Sequence, residues 1–170
     1  MKLLIAVLAI LAPCLPSAGQ IVESVTGKFH ICADDSAVVL VNGVEIFAAS
    51  YSQKDKVKES AETALKLGDR LVFQLHNKGG PKGLLVQFVS TDRKTLVHFP
   101  RNAYRKLTDP QATTFTDSEF RNAPEVKERK HPNSVGILPF KGKSQWVWGE
   151  NEVCAIGLVV TRELIARITP

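Results

Sequence analysis

The chain has 170 residues, 44% of them apolar, enough for one domain with a buried core, and a formal charge of +5. Aromatic residues make up only 7% and are not interleaved with the basic ones, which argues against nucleic acid as a partner. Beyond the first apolar stretch no second long one occurs, which argues against a membrane span.

At the N-terminus Lys2 precedes LLIAVLAILA, and then Pro13, Pro16, Ser17, Ala18 and Gly19 follow. A charged end, a short apolar run and small residues form the pattern of a secretory signal peptide over residues 1–19, cleaved before Gln20. A membrane anchor is the alternative, and the run is short for it. The expected mature product is therefore a secreted, extracellular chain, 20–170, forming a single domain. Cys14 leaves with the signal, so Cys32 and Cys154 remain in an oxidising compartment. A Cys32–Cys154 disulfide is the expectation, and two buried free thiols the alternative.

Along the mature chain, residues 20–32 read as the first strand. Val38 to Val41 and Val44 to Phe47 flank Asn42-Gly43, a strong local hairpin signal because a two-residue primed turn needs positive φ at both residues. Residues 49–60 are polar and read as a loop or the lead into a short helix. Residues 61–67 read as a strand bounded by Gly68-Asp69. Apolar residues alternate over 71–75 and 84–88, predicting two half-buried strands around the loop Asn77-Lys78-Gly79-Gly80-Pro81. Residues 95–99 make the next strand. The segment 107–143 is broken by Pro110, Pro124, Pro132 and Pro139 and reads as a long, irregular, basic insertion. Trp146 to Trp148 opens the last strand region, and 153–160 is a continuous apolar run suited to a buried strand. Eight to ten short strands separated by turns predict an all-β fold, an antiparallel β-sandwich or jelly roll.

Four motifs, in order, resemble galactose-binding-like β-sandwich domains, found as carbohydrate-binding modules and glycosidase accessory domains. ADDSAVVLVNGVEI resembles their hairpin, and GDRLVFQLHNKGGPKGLLVQF their strand–loop–strand that follows a Gly-Asp turn. RNAYRK is similar to a segment that usually carries Trp-Arg, with Tyr104-Arg105 in its place, and SQWVWG resembles a common Trp-x-Trp element. The resemblance covers about 25–106 and 144–161. It implies a sugar-binding sandwich whose ligand sits at loop ends, in some cases with a structural calcium ion.

Candidate site residues follow. Trp148 is a candidate stacking platform, with Asn77, Tyr104 and Arg105 for hydrogen bonds; Trp146 and Trp148, two apart on a strand, share a face that is either exposed or core. Arg105 could also grip a uronate or sulfate. Asp34 and Asp35 are candidate ligands of Ca²⁺, or caps of the turn into the hairpin. Basic residues cluster at Arg93, Lys94, Arg101, Arg105 and Lys106, and at Lys127, Arg129, Lys130, Lys141 and Lys143. His30, His76, His98 and His131 lack metal-ligand spacing, and no nucleophile elbow or P-loop occurs. The leading reading is a secreted, non-catalytic, lectin-like module that binds glycans. The alternative is an extracellular matrix or adhesive protein that holds acidic polysaccharides or mineral through its basic surface. An enzyme or inhibitor is a third.

Overall fold

The computed structural model of the chain describes residues 24–50, 57–128 and 144–167. The segment expected to be a signal peptide lies outside them, as do Arg129, Lys130, Lys141 and Lys143 of the second basic cluster. In chain order the strands are β1 (Ser24–Asp34), β2 (Ser36–Val41), β3 (Val44–Ser50), β4 (Lys58–Glu59), β5 (Thr63–Lys66), β6 (Arg70–His76), β7 (Gly83–Ser90), β8 (Thr95–Val97) and β9 (Arg105–Lys106). Then come a short helix, α1 (Asp117–Asn122), and β10 (Lys127–Glu128), β11 (Val147–Trp148), β12 (Val153–Val159) and β13 (Ile165–Arg167).

These strands form two antiparallel sheets packed face to face, an all-β sandwich. The first has the order β10-β11-β7-β1-β4, with β5 also on β1 and β8 bridging β7 and β13. The second has the order β3-β2-β6-β12-β9. The hairpin forms as its turn residues dictate: Asn42 and Gly43 take φ of 51° and 85°. Asn42 also ties this turn to the next one. Its Nδ2 donates to Asp69 Oδ1 at 2.8 Å, and its Oδ1 accepts from the Arg70 backbone N–H at 2.9 Å.

Because alternate side chains of a strand point to opposite faces, each sheet has an inner and an outer set. Phe29, Ile31 and Ala33 of β1, Leu84, Val86 and Phe88 of β7, Leu71, Phe73 and Leu75 of β6, and Ile156 and Leu158 of β12 share one buried core. Phe99 and Tyr104, from the connection between β8 and β9, complete it. Phe29 meets Phe88 edge-on at 4.9 Å, and Tyr104 meets Phe73 at 5.9 Å.

The outer face of the second sheet is covered as well. Leu40, Val72 and Ala155 pack against Leu107 and Phe115, so residues 107–123 form a strap across the sheet. Gln74 Nε2 donates to the carbonyls of Gln111 and Ala112, and Arg70 pairs with Asp117 at 2.6 Å. Gly157 makes the room: a Cβ there would lie 2.6 Å from Phe115 Cε1. The described part of the long insertion is thus more regular than expected. It holds a helix whose N-cap is a complete capping box, Thr116 with Glu119. Likewise β4 begins within the stretch read as loop.

Two expectations about partners across the core are overturned. Cys32 and Cys154 are both buried, and no disulfide joins them. They sit on different sheets, and pleat parity separates them further. Cys154 faces the shared core, whereas Cys32 packs on the outer face of the first sheet with Leu85 and Trp146. Trp146 and Trp148 also part company, because β11 spans only Val147 and Trp148 and strand periodicity does not extend to Trp146. Trp148 joins the shared core and Trp146 the outer cluster.

Two tests follow. Gly157→Ala should destabilise the fold by about 1–3 kcal/mol, the usual range for overpacking, read as a lower denaturant midpoint; an unchanged midpoint would mean that Phe115 does not seat there. Both thiols are buried, and burial raises the pKa of that of Cys154, so both should label slowly in the native chain and readily once it is unfolded without reductant. Thiols that stay unlabelled until reductant is added would restore the disulfide.

Candidate functional site

The four residues expected to form a sugar site do not do so. Asn77 is 2% exposed; its Nδ2 donates to Glu152 Oε2 at 2.6 Å and its backbone N–H to the Glu152 carbonyl at 2.8 Å. Trp148 is fully buried, with Nε1 donating to the Asn151 carbonyl at 2.9 Å. Lys82 pairs with Glu152 at 2.7 Å, and hydrogen bonds from Lys82 and Asn77 hold that carboxyl below its ordinary pKa. These residues form a clasp joining the loops that follow β6 and β11. Trp148 borders only a hollow of about 90 Å³, well short of the roughly 300 Å³ at which ligand pockets begin.

Tyr104 and Arg105 lie elsewhere. Arg105 is paired with Gly157 and His76 with Val153, so about 13 Å of β12 separates them at roughly 3.3 Å per residue. Tyr104 is fully buried, its hydroxyl has no hydrogen-bond partner among the described residues, and burial pushes its pKa well up. Its ring is a core element and cannot meet a ligand. Arg105 uses Nη1 to donate to the carbonyls of Asn102 and Tyr104, both at 2.8 Å, and its guanidinium lies 5.6 Å from the Phe120 ring centroid. It is a local brace rather than a two-pronged grip for an acidic sugar.

The calcium expectation fares no better. Asp35 Oδ2 accepts from the Lys78 backbone N–H at 2.5 Å, which makes this residue a tie to the 77–82 loop. Among the described residues no group of three or more His, Cys, Asp or Glu side chains converges, so no third carboxylate joins Asp34 and Asp35 there.

Among the described residues of the basic clusters, Arg101, Arg105, Lys106 and Lys127 face glutamates. Glu125 faces both Arg101 at 3.7 Å and Arg105 at 4.0 Å, and Glu150 holds both Lys106 at 3.0 Å and Lys127 at 3.1 Å. Hydrogen bonds from Lys106 and Lys127 keep the Glu150 carboxyl below its ordinary pKa.

One concave surface with ligand-like dimensions is a groove of about 720 Å³ beyond the C-terminal end of β12. Asn102, Ser144, Gln145, Thr161 and Glu163 give it hydrogen-bonding groups, while Pro100, Ala103 and Leu164 supply apolar surface. Two of these side chains are fixed through their acceptors: Ser144 Oγ accepts from the Phe99 N–H at 3.1 Å, and Gln145 Oε1 from the Arg101 N–H at 3.0 Å. The Ser144 O–H and the Gln145 amide N–H₂ are the donors they bring to the groove. A hydrogen bond from Thr161 holds the Glu163 carboxyl below its ordinary pKa, so it is an ionised acceptor at neutral pH.

Sequence reading missed all five polar residues. Each is a common loop residue, and the groove assembles them from three distant segments. The one local signal was the place of Ser144 and Gln145 directly before the Trp-x-Trp element. A second hollow, of about 470 Å³, lies within residues 107–124.

The burial of Trp148 changes what its mutation should do. Trp148→Ala should lower stability by about 3–5 kcal/mol, as for other buried large aromatics, and a variant with native stability would place the indole at the surface after all.

Comparison with protein-family models, with curated proteins and with solved structures finds no match for this chain.

Proposed function

We propose that this chain is a secreted, non-catalytic β-sandwich module that binds neutral glycans in the groove between Asn102, Gln145 and Glu163. The observation that carries the reading is the make-up of this groove. Sugar hydroxyls both donate and accept, and their ring faces are apolar. A groove combining amide, hydroxyl and carboxylate groups with proline, alanine and leucine surface suits such a ligand. Binding is favoured over cleavage because Glu163 is the single carboxylate among the described residues that line it, and glycoside hydrolysis ordinarily needs two. Neutral glycans are favoured over acidic ones because that carboxylate would repel a uronate, and because Arg101, Arg105, Lys106 and Lys127 already face glutamates. The resemblance of the hairpin and the Gly-Asp strand to galactose-binding-like domains points the same way. Secretion rests on the signal-like pattern of residues 1–19.

A glycan array probed with the secreted chain at low and high salt tests the proposal. Salt-insensitive binding to defined neutral sugars is expected. Glu163→Ala should weaken that binding by about 1.5–3 kcal/mol, the range for a hydrogen bond to a charged group, with the denaturant midpoint unchanged. Binding confined to polyanions and lost at high salt would instead support the matrix-protein reading.

A further inference from the structure

We infer that the hollow inside residues 107–124 is a second binding site, one for a small organic cation with an apolar body. It shares no lining residue with the groove proposed for glycans and does not depend on that reading. Its volume, about 470 Å³, lies within the range of small-molecule pockets. Leu107, Ala112, Phe115 and Pro124 give it apolar walls, and Asp109 and Glu119 bring two carboxylates.

The charge in this hollow is unbalanced. No Lys or Arg is among the described residues that line it. Asp109 Oδ1 accepts from the Gln111 N–H at 2.8 Å, and Glu119 Oε2 accepts from the Thr116 N–H at 2.6 Å. These backbone donors orient the carboxylates without neutralising them. The bond from Thr116 also keeps Glu119 ionised at neutral pH. Glu125, Glu150 and Glu152, by contrast, each face at least one cation. Two unneutralised carboxylates beside apolar walls match an ammonium group carrying a hydrocarbon body. An anion would be repelled, and a neutral analogue would forgo the charge attraction.

The hollow is also held in shape before any ligand arrives. Phe115 seats over Gly157 and stacks on Phe120 at 5.1 Å, Gln74 holds the carbonyls of Gln111 and Ala112, and Arg70 anchors Asp117. A strap fixed in this way loses little conformational entropy on binding.

A matched ligand series tests the inference on the ¹⁵N-labelled chain: 4-phenylbutylamine, 4-phenylbutanol and 4-phenylbutyrate. Saturable amide shifts confined to residues 107–124 are expected for the amine, at least tenfold weaker binding for the alcohol, and none for the acid. The double variant D109N/E119Q removes both charges with little change of shape, since glutamine still completes a capping box and asparagine still caps its turn. Its midpoint of unfolding should match that of the parent, and its affinity for the amine should drop to that for the alcohol. Equal affinity of the parent for amine and alcohol, shifts centred outside the strap, or an amine preference that survives in the variant would each overturn the inference. Should the double variant fail to fold, the parent's ranking of the three ligands decides alone.

Discussion

Five aromatic rings joining the two sheets set the terms for the rest of the molecule. Phe29 and Phe88 come from the first sheet, Phe73 from the second, and Phe99 and Tyr104 from the crossing between them. Large rings bury much apolar area, and edge-on contacts add about 0.5–1.5 kcal/mol per pair beyond it. With Trp148 in the same core, six of the chain's twelve aromatic residues are committed to cohesion. The large groove accordingly offers hydrogen-bonding groups and small apolar patches rather than rings.

What was legible in the sequence was what local physics decides. Asn42-Gly43 announces a turn because few other residues tolerate two consecutive positive φ values, and the hairpin followed. The alternation over 71–75 and 84–88 reported a pleat with an inner face, and both strands appeared, but β7 is buried on both faces rather than half-buried. What was illegible depends on which sheet a strand joins. Nothing near Cys32 or Cys154 reveals that Cys32 faces outward from its sheet while Cys154 faces the shared core, so redox compartment alone suggested a bond that the two faces keep apart. The Trp-x-Trp rule failed for a related reason: periodicity of two holds only within a strand, and β11 ends its regular pairing before Trp146. The helix in the strap was readable in principle, since Thr116-x-x-Glu119 is a capping signature, but six helical residues among prolines give too short an apolar pattern to notice.

Charge shows the same contrast between composition and arrangement. A formal +5 suggests a basic face, yet sequence cannot tell whether cations stand alone or in company. Here Glu125 and Glu150 each serve two of them. Such exposed pairs contribute little stability, typically 0–1 kcal/mol. Their larger consequence is for recognition, because a carboxylate among the cations lowers the potential that an acidic polymer would feel and makes it compete for each contact.

The two larger concavities then differ for reasons traceable to where their walls come from. The groove at Asn102 and Glu163 collects loop residues from three separate segments, so it is broad, polar and open to an extended ligand. The hollow in the strap is made by one continuous segment folding back on itself over Gly157. Its apolar walls extend the cluster that glues the strap to the sheet, with Leu107 and Phe115 belonging to both. Its carboxylates come from the turn at Asp109 and the helix cap at Glu119, where acceptors are needed to satisfy exposed backbone N–H groups. The acidity of the hollow is thus a by-product of how a short, proline-broken segment secures its own turns, and that same requirement leaves it without a cation of its own.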